Sequence, residues 1–156
     1  MEHDNLTIIP EVKQKKSISI KLRKILIRQL EKYKSYRNLL EQEEKAIIKG
    51  DTDKIEVYIQ LEHSIIREIY SIQKIIHPLE KSFFKVSPEN EELIEKLHNS
   101  IEQMRKQVLL KNKSNRILLK KQLTFLKQEI NSLRVKIKSN SHHFNLDTPA
   151  VVDITR

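Results

Sequence analysis

Few side chains in this sequence have the type or the spacing to do chemistry. Cysteine is absent, so no thiolate nucleophile or thiolate metal site can be built. The six histidines stand at positions 3, 63, 77, 98, 142 and 143. None forms a His-x-x-x-His helical pair with a carboxylate between, the pattern that sets two imidazoles and a base on one face. His142-His143 could hold a metal weakly, but a polar tail is the preferred reading of that pair. With Gly50 as the single glycine, no Gly-rich phosphate loop is available. Glu62 interrupts an apolar run and is a candidate buried acid with a raised pKa. A polar residue at such a place more commonly sets helix register or reaches solvent at a bundle end. These residues predict no catalytic site, no metal and no cofactor.

The elements that would position them are helical. One glycine and four prolines in 156 residues leave few places to turn. Residues 1–16 show no sustained periodicity and read as a flexible lead-in. A first helix is predicted from about Ser17 to Lys49. Leu22, Leu26, Tyr33, Tyr36, Leu40 and Ile47 follow four-three spacing, with Gln29 and Glu43 filling the missing steps. Gly50 suits a left-handed helix cap, and Asp51 an N-cap for the next helix. The second seam reads Ile55, Tyr58, Glu62, Ile65, Ile69, Ile72, Ile76, Leu79 and Phe83. It passes Pro78 in register, which predicts a kink there rather than an end. Phe83-Phe84 would close that end of the bundle.

Ser87-Pro88-Glu89 has the makings of a third helix start: a capping serine, a proline in the first turn, and an acid facing the dipole. This helix could run from Pro88 to about Lys138, roughly 75 Å against roughly 50 Å for the first. It must therefore overhang its partners or break near 111–116. Its first seam is Ile94, Leu97, Ile101, Met104 and Val108. Its second is Leu119, Leu123, Leu126, Ile130, Leu133 and Ile137. The polar run Lys111–Arg116 separates them, and joining the two requires a stutter in the four-three count. Residues 139–156 lack a helical pattern and read as a disordered tail. The predicted architecture is thus all-α: an antiparallel bundle or coiled coil of three long helices over 17–138, between two flexible ends.

Charge narrows the partners. The net charge is +9, and residues 111–138 carry nine basic side chains against Glu129 alone. Such a stretch suits an acidic protein face, nucleic acid or anionic lipid, or is simply a solvated face. No apolar run approaches the roughly 18 residues of a membrane span. The start Met1-Glu2-His3-Asp4-Asn5 has no signal-peptide pattern, so a soluble, cytoplasmic protein is expected. Ile117, Leu118, Leu119, Leu123, Phe125, Leu126, Ile130, Leu133, Val135 and Ile137 cover more than one helix face. If that part overhangs the bundle, the stripe is an interaction site read helix against helix. If the helices fold back into four, it is core.

Asn112-Lys113-Ser114-Asn115-Arg116-Ile117-Leu118-Leu119 resembles the N-x-x-N-x-x-L-L element of the FlgN family of flagellar export chaperones, with Asn112, Asn115, Leu118 and Leu119 at the matching positions. Leu39 to Asp51 is similar to that family's first helical turnaround. The order of helices and tail matches over about residues 17–156, and Phe144 stands where the family's tail carries an aromatic. The resemblance implies a cytoplasmic chaperone for hook-associated flagellar proteins, the subunits joining hook to filament. Such chaperones hold the subunits' terminal helices against premature self-association and deliver them to the type III export gate. On this reading Leu119, Leu123, Leu126, Ile130 and Leu133 contact the client. Lys120, Lys121 and Lys127 steer it. Phe144 and the tail dock on the export machinery or order on client binding. A homo-oligomer is compatible with the pattern.

Two other readings compete. A basic coiled-coil stalk component of the flagellar export apparatus would favour two long helices rather than three. A basic helical nucleic-acid binder ranks third, since aromatics are few and no nucleic-acid fold signature appears.

Overall fold

The computed structural model describes the backbone of residues 5–86 and 92–144, and the side chains of residues 12–86 and 92–140. Three α-helices follow one another: α1 (Asn5–Lys49), α2 (Thr52–Val86) and α3 (Glu92–Phe144). The chain divides into two compact units, Met1–Leu118 and Leu119–Arg156.

In the first unit the predicted seams are the core. Leu22, Leu26, Tyr33, Tyr36, Leu40 and Ile47 of α1 are buried. So are Ile69, Ile72, Ile76 and Phe83 of α2, and Ile94, Ile101 and Val108 of α3. Full burial of one such side chain is worth roughly 1.5–3 kcal/mol, which is why a narrow stripe suffices to hold helices this long together. Cross-helix bonds give the topology. Tyr36 meets Glu62 and Lys32 meets Glu68, so numbers rise on α1 as they fall on α2. Tyr36 meets Asn112 and Leu40 meets Asn115, rising together, so α1 and α3 are parallel and the order is up-down-up.

The turn between α1 and α2 is built as the residues dictate. Gly50 has φ +67°. Its N–H donates to the Ile47 carbonyl at 3.1 Å, and the Asp51 N–H donates to the Ala46 carbonyl at 3.0 Å. This is a Schellman closure, in which a residue without Cβ takes the left-handed cap. Asp51 Oδ1 then accepts from the Lys54 N–H at 3.2 Å, capping α2. The ion pair with Lys54 and this bond hold the Asp51 carboxyl below its ordinary range.

Three expectations change: the start of α1, the end of α3 and the role of Phe84. Helix α1 begins at Asn5, not near Ser17. Residues 12–17 are exposed, so that stretch has no seam to reveal it. Helix propagation from a packed segment costs far less than nucleation, and no burial is needed to extend it. As its in-register seam predicts, helix α2 does not end at Pro78, which holds an exposed position where water can serve the carbonyl freed one turn earlier. Phe83 is buried but Phe84 is 47% exposed, touching Phe83 edge-on at 5.7 Å, so one ring and not two closes the core. Helix α3 is unbroken across 111–116 and extends past Lys138 to Phe144, so residues 139–144 are helical. The Ser87-Pro88-Glu89 start and residues 145–156 lie outside the described residues, as does the Phe144 side chain. Among the described residues no helix is long and apolar enough to cross a membrane.

Candidate functional site

The polar run of α3 is not a gap in the seam. Alternating three-four steps from Val108 lead to Lys111, Asn115 and Leu118 without a change of phase. Asn115 is 2% exposed, and the other two are half-buried. The phase change falls after Leu118, not within Lys111–Arg116. The asparagines are there because polar residues face them. Asn115 Nδ2 donates to the Leu40 carbonyl and to Glu43 Oε2, both at 2.7 Å. Asn112 Nδ2 donates to Tyr36 Oη and to Glu62 Oε2, both at 3.2 Å. The Tyr36 hydroxyl donates to the same Glu62 oxygen at 3.4 Å. Lys111 Nζ pairs with Glu44 at 2.6 Å. One polar layer thus joins all three helices.

Two carboxyls meet in that layer. Burial pushes the Glu62 carboxyl up to about 7, and the charge of Glu43 and a hydrogen bond to it add to the shift; the Tyr36 bond and Arg116 oppose it. Among the described residues Glu62 Oε1 has no donor within reach. A proton on Glu62, shared in its hydrogen bond with the Glu43 side chain, relieves the repulsion between the two acids. Burial raises the Tyr36 hydroxyl strongly as well, with the Glu62 charge and hydrogen bond behind it, so it remains a donor. The second buried side-chain atom without a partner among the described residues is Asn115 Oδ1. Such a layer contributes register and parallel-versus-antiparallel choice more than net stability. Glu62 is accordingly a half-buried acid with a raised pKa, and at the same time a register device.

The second unit contains the predicted client-binding residues. Leu119 is half-buried. Leu123, Leu126, Ile130 and Leu133 are 51%, 47%, 49% and 56% exposed. Among the described residues, nothing buries these four side chains, and they form an exposed apolar stripe. Lys120, Lys121 and Lys127 are exposed on the same helix. Ile117, at the end of the first unit, is 50% exposed. Of the four residues matched to the asparagine–leucine element, Asn112 and Asn115 are in the bundle's polar layer, and Leu118 and Leu119 are half-buried. Among the described residues no group of three or more His, Asp or Glu side chains is placed to hold a metal ion.

Sequence reasoning did not assemble the polar layer, although it noted Glu43 and Glu62 separately as breaks in two seams. The available signal was a polar residue at a seam position on each of three helices.

Fold and surface define an all-α bundle protein with an amphipathic helical segment whose apolar side chains are exposed among the described residues. The chain is 26% identical over 145 residues to an uncharacterized protein of Treponema pallidum (strain Nichols), an alignment covering 93% of this chain and 94% of that one. The likeness therefore extends over the helices as a whole and not over one leucine-rich stretch. No family model matches the chain, and no solved structure does.

Proposed function

We propose that this chain is a cytoplasmic export chaperone of the FlgN type. It binds the amphipathic terminal helices of hook-associated flagellar proteins, keeps them from self-association and delivers them to the flagellar type III export gate. No catalytic step, nucleotide or metal is part of this reading. The observation that carries it is the exposed stripe Leu123, Leu126, Ile130 and Leu133, in four-three register among lysines. A stripe of that spacing accepts one face of another helix, with anchors at i, i+3, i+4 and i+7. Free terminal segments of the client type would present just such a face. Three helices, rather than two, speak against the stalk-component alternative.

Co-expression with each hook-associated protein of the same genome, followed by size-exclusion chromatography with light scattering, tests the proposal. A stable complex is expected. Leu126→Asp should weaken it by at least about tenfold, since a charge would enter the centre of the buried stripe. Circular dichroism of that variant should be unchanged, because Leu126 is 47% exposed in the free chain. Absence of a complex with every hook-associated protein would overturn the reading.

A further inference from the structure

The first unit carries a second apolar surface, on the side where α1 and α2 meet. A groove of about 920 Å³ runs between them. Ile25 and Ile27 of α1, with Ile75, Pro78 and Leu79 of α2, form its apolar lining. Ile27 is 46% and Ile75 48% exposed, well above the values of the core isoleucines on the same helices. The rim is charged, and nearly all of one sign. Lys21, Lys24 and Arg28 follow three-four spacing along the α1 edge, Lys74 stands on the α2 edge, and Glu31 is the one acid among the lining residues. Lys74 also lies over the Tyr70 ring, 4.7 Å from its centre.

We propose that this groove docks an acidic amphipathic helix of a partner protein, separately from the stripe on residues 119–133. Two neighbouring antiparallel helices leave a furrow into which the ridge of a third fits. From Lys21 to Glu31 the furrow is about 15 Å long, three turns of an incoming helix. Its apolar anchors would cover Ile27 and Ile75. Carboxylates flanking those anchors at i, i+3 or i+4 and i+7 would meet Lys21, Lys24 and Arg28 on one side and Lys74 on the other. The charge pattern selects this occupant over others. A second copy of this chain, at net charge +9, would bring cations to a cationic rim. An apolar helix without acids would leave four cations partly desolvated and unpaired, which is costly. The proposal does not depend on the client reading of the 119–133 stripe.

The test uses the full chain and a synthetic fluorescent peptide of about sixteen residues. The peptide has leucines at i, i+3, i+4 and i+7 and glutamates along both flanks; a control peptide has lysines in place of the glutamates. Fluorescence anisotropy at low and at physiological salt should show saturable binding of the acidic peptide, weakened by salt, and none of the basic one. Ile75→Asp should weaken binding by about tenfold or more. Lys24→Glu, which leaves the apolar lining intact, should weaken it by about tenfold and reduce its salt dependence. Leu126→Asp should leave it unchanged. No saturable binding, equal binding of the two peptides, or sensitivity to Leu126→Asp but not to the groove variants would overturn the proposal. So would a dimer seen by light scattering and lost in Ile75→Asp, which would give the groove to a second copy. Binding to vesicles of anionic phospholipid that is lost in Ile75→Asp, without binding of the acidic peptide, would give it to a membrane surface.

Discussion

Replacing Glu62 by Gln should make the protein more stable at pH 8 and leave it nearly unchanged at pH 4.5. The folded chain raises the Glu62 carboxyl from 4.5 to about 7, burial first and the Glu43 charge second. The folded state therefore keeps a proton that the unfolded state releases across this range. By linkage its stabilising effect is complete below about pH 4.5 and lost as pH rises through about 7. A displacement of that size corresponds to roughly 3 kcal/mol. Glu62 is only half-buried, and solvent screening reduces this to about 1–2 kcal/mol. Glutamine keeps the geometry at every pH. Its carbonyl oxygen can accept from Tyr36 and Asn112, and its amide can donate to Glu43 as the protonated acid does. Thermal melts of the wild type and Glu62→Gln at pH 4.5, 6 and 8 should diverge with rising pH, reaching roughly 3–8 °C in favour of the variant. Titrating groups away from this layer are common to the two proteins and cancel in the difference, whereas Glu43, which shares the Glu62 charge and hydrogen bond, contributes to it. Parallel melting curves across that range, or a variant less stable at pH 8, would refute the shared-proton arrangement.

Three other outcomes follow from the same geometry. Asn115→Ala should cost about 2–3 kcal/mol in urea unfolding, because it strips the buried Glu43 carboxylate and Leu40 carbonyl of one donor each; a loss under 0.5 kcal/mol would mean that water replaces the amide. Gly50→Ala should cost about 1 kcal/mol by the same measurement, from the left-handed backbone alone, since a Cβ there meets no atom within 4 Å. Leu126→Asp should leave the urea midpoint of the free chain within about 0.5 kcal/mol of wild type, as expected of an exposed residue; a larger loss would place the stripe in a core.

Much of the core was legible in the residues because helical burial writes a period into the chain. Leu22, Leu26, Leu40 and Phe83 were assigned to the core on spacing alone, and all four are at most 2% exposed. Gly50 and Asp51 were readable because one residue type tolerates the left-handed cap and few others suit the N-cap. The start of α1 was not legible, since residues 12–17 are exposed and an unpacked helix leaves no period.

The amino-acid sequence by itself determined that three helices form, which stripe of each is apolar, and where the first turn falls. Those are properties of single segments, set by local periodicity and by the backbone preferences of glycine and aspartate. Which polar positions would meet was decided by tertiary structure alone. Tyr36, Glu43, Glu62, Asn112 and Asn115 are separated by up to 79 residues, and only the relative register of three helices brings them to one level. Tertiary structure also decided that Leu123, Leu126, Ile130 and Leu133 are surface and Val108 is core, although the two halves of α3 carry the same spacing. A period records that a face is apolar; whether another helix of the same chain covers it depends on where the partners end.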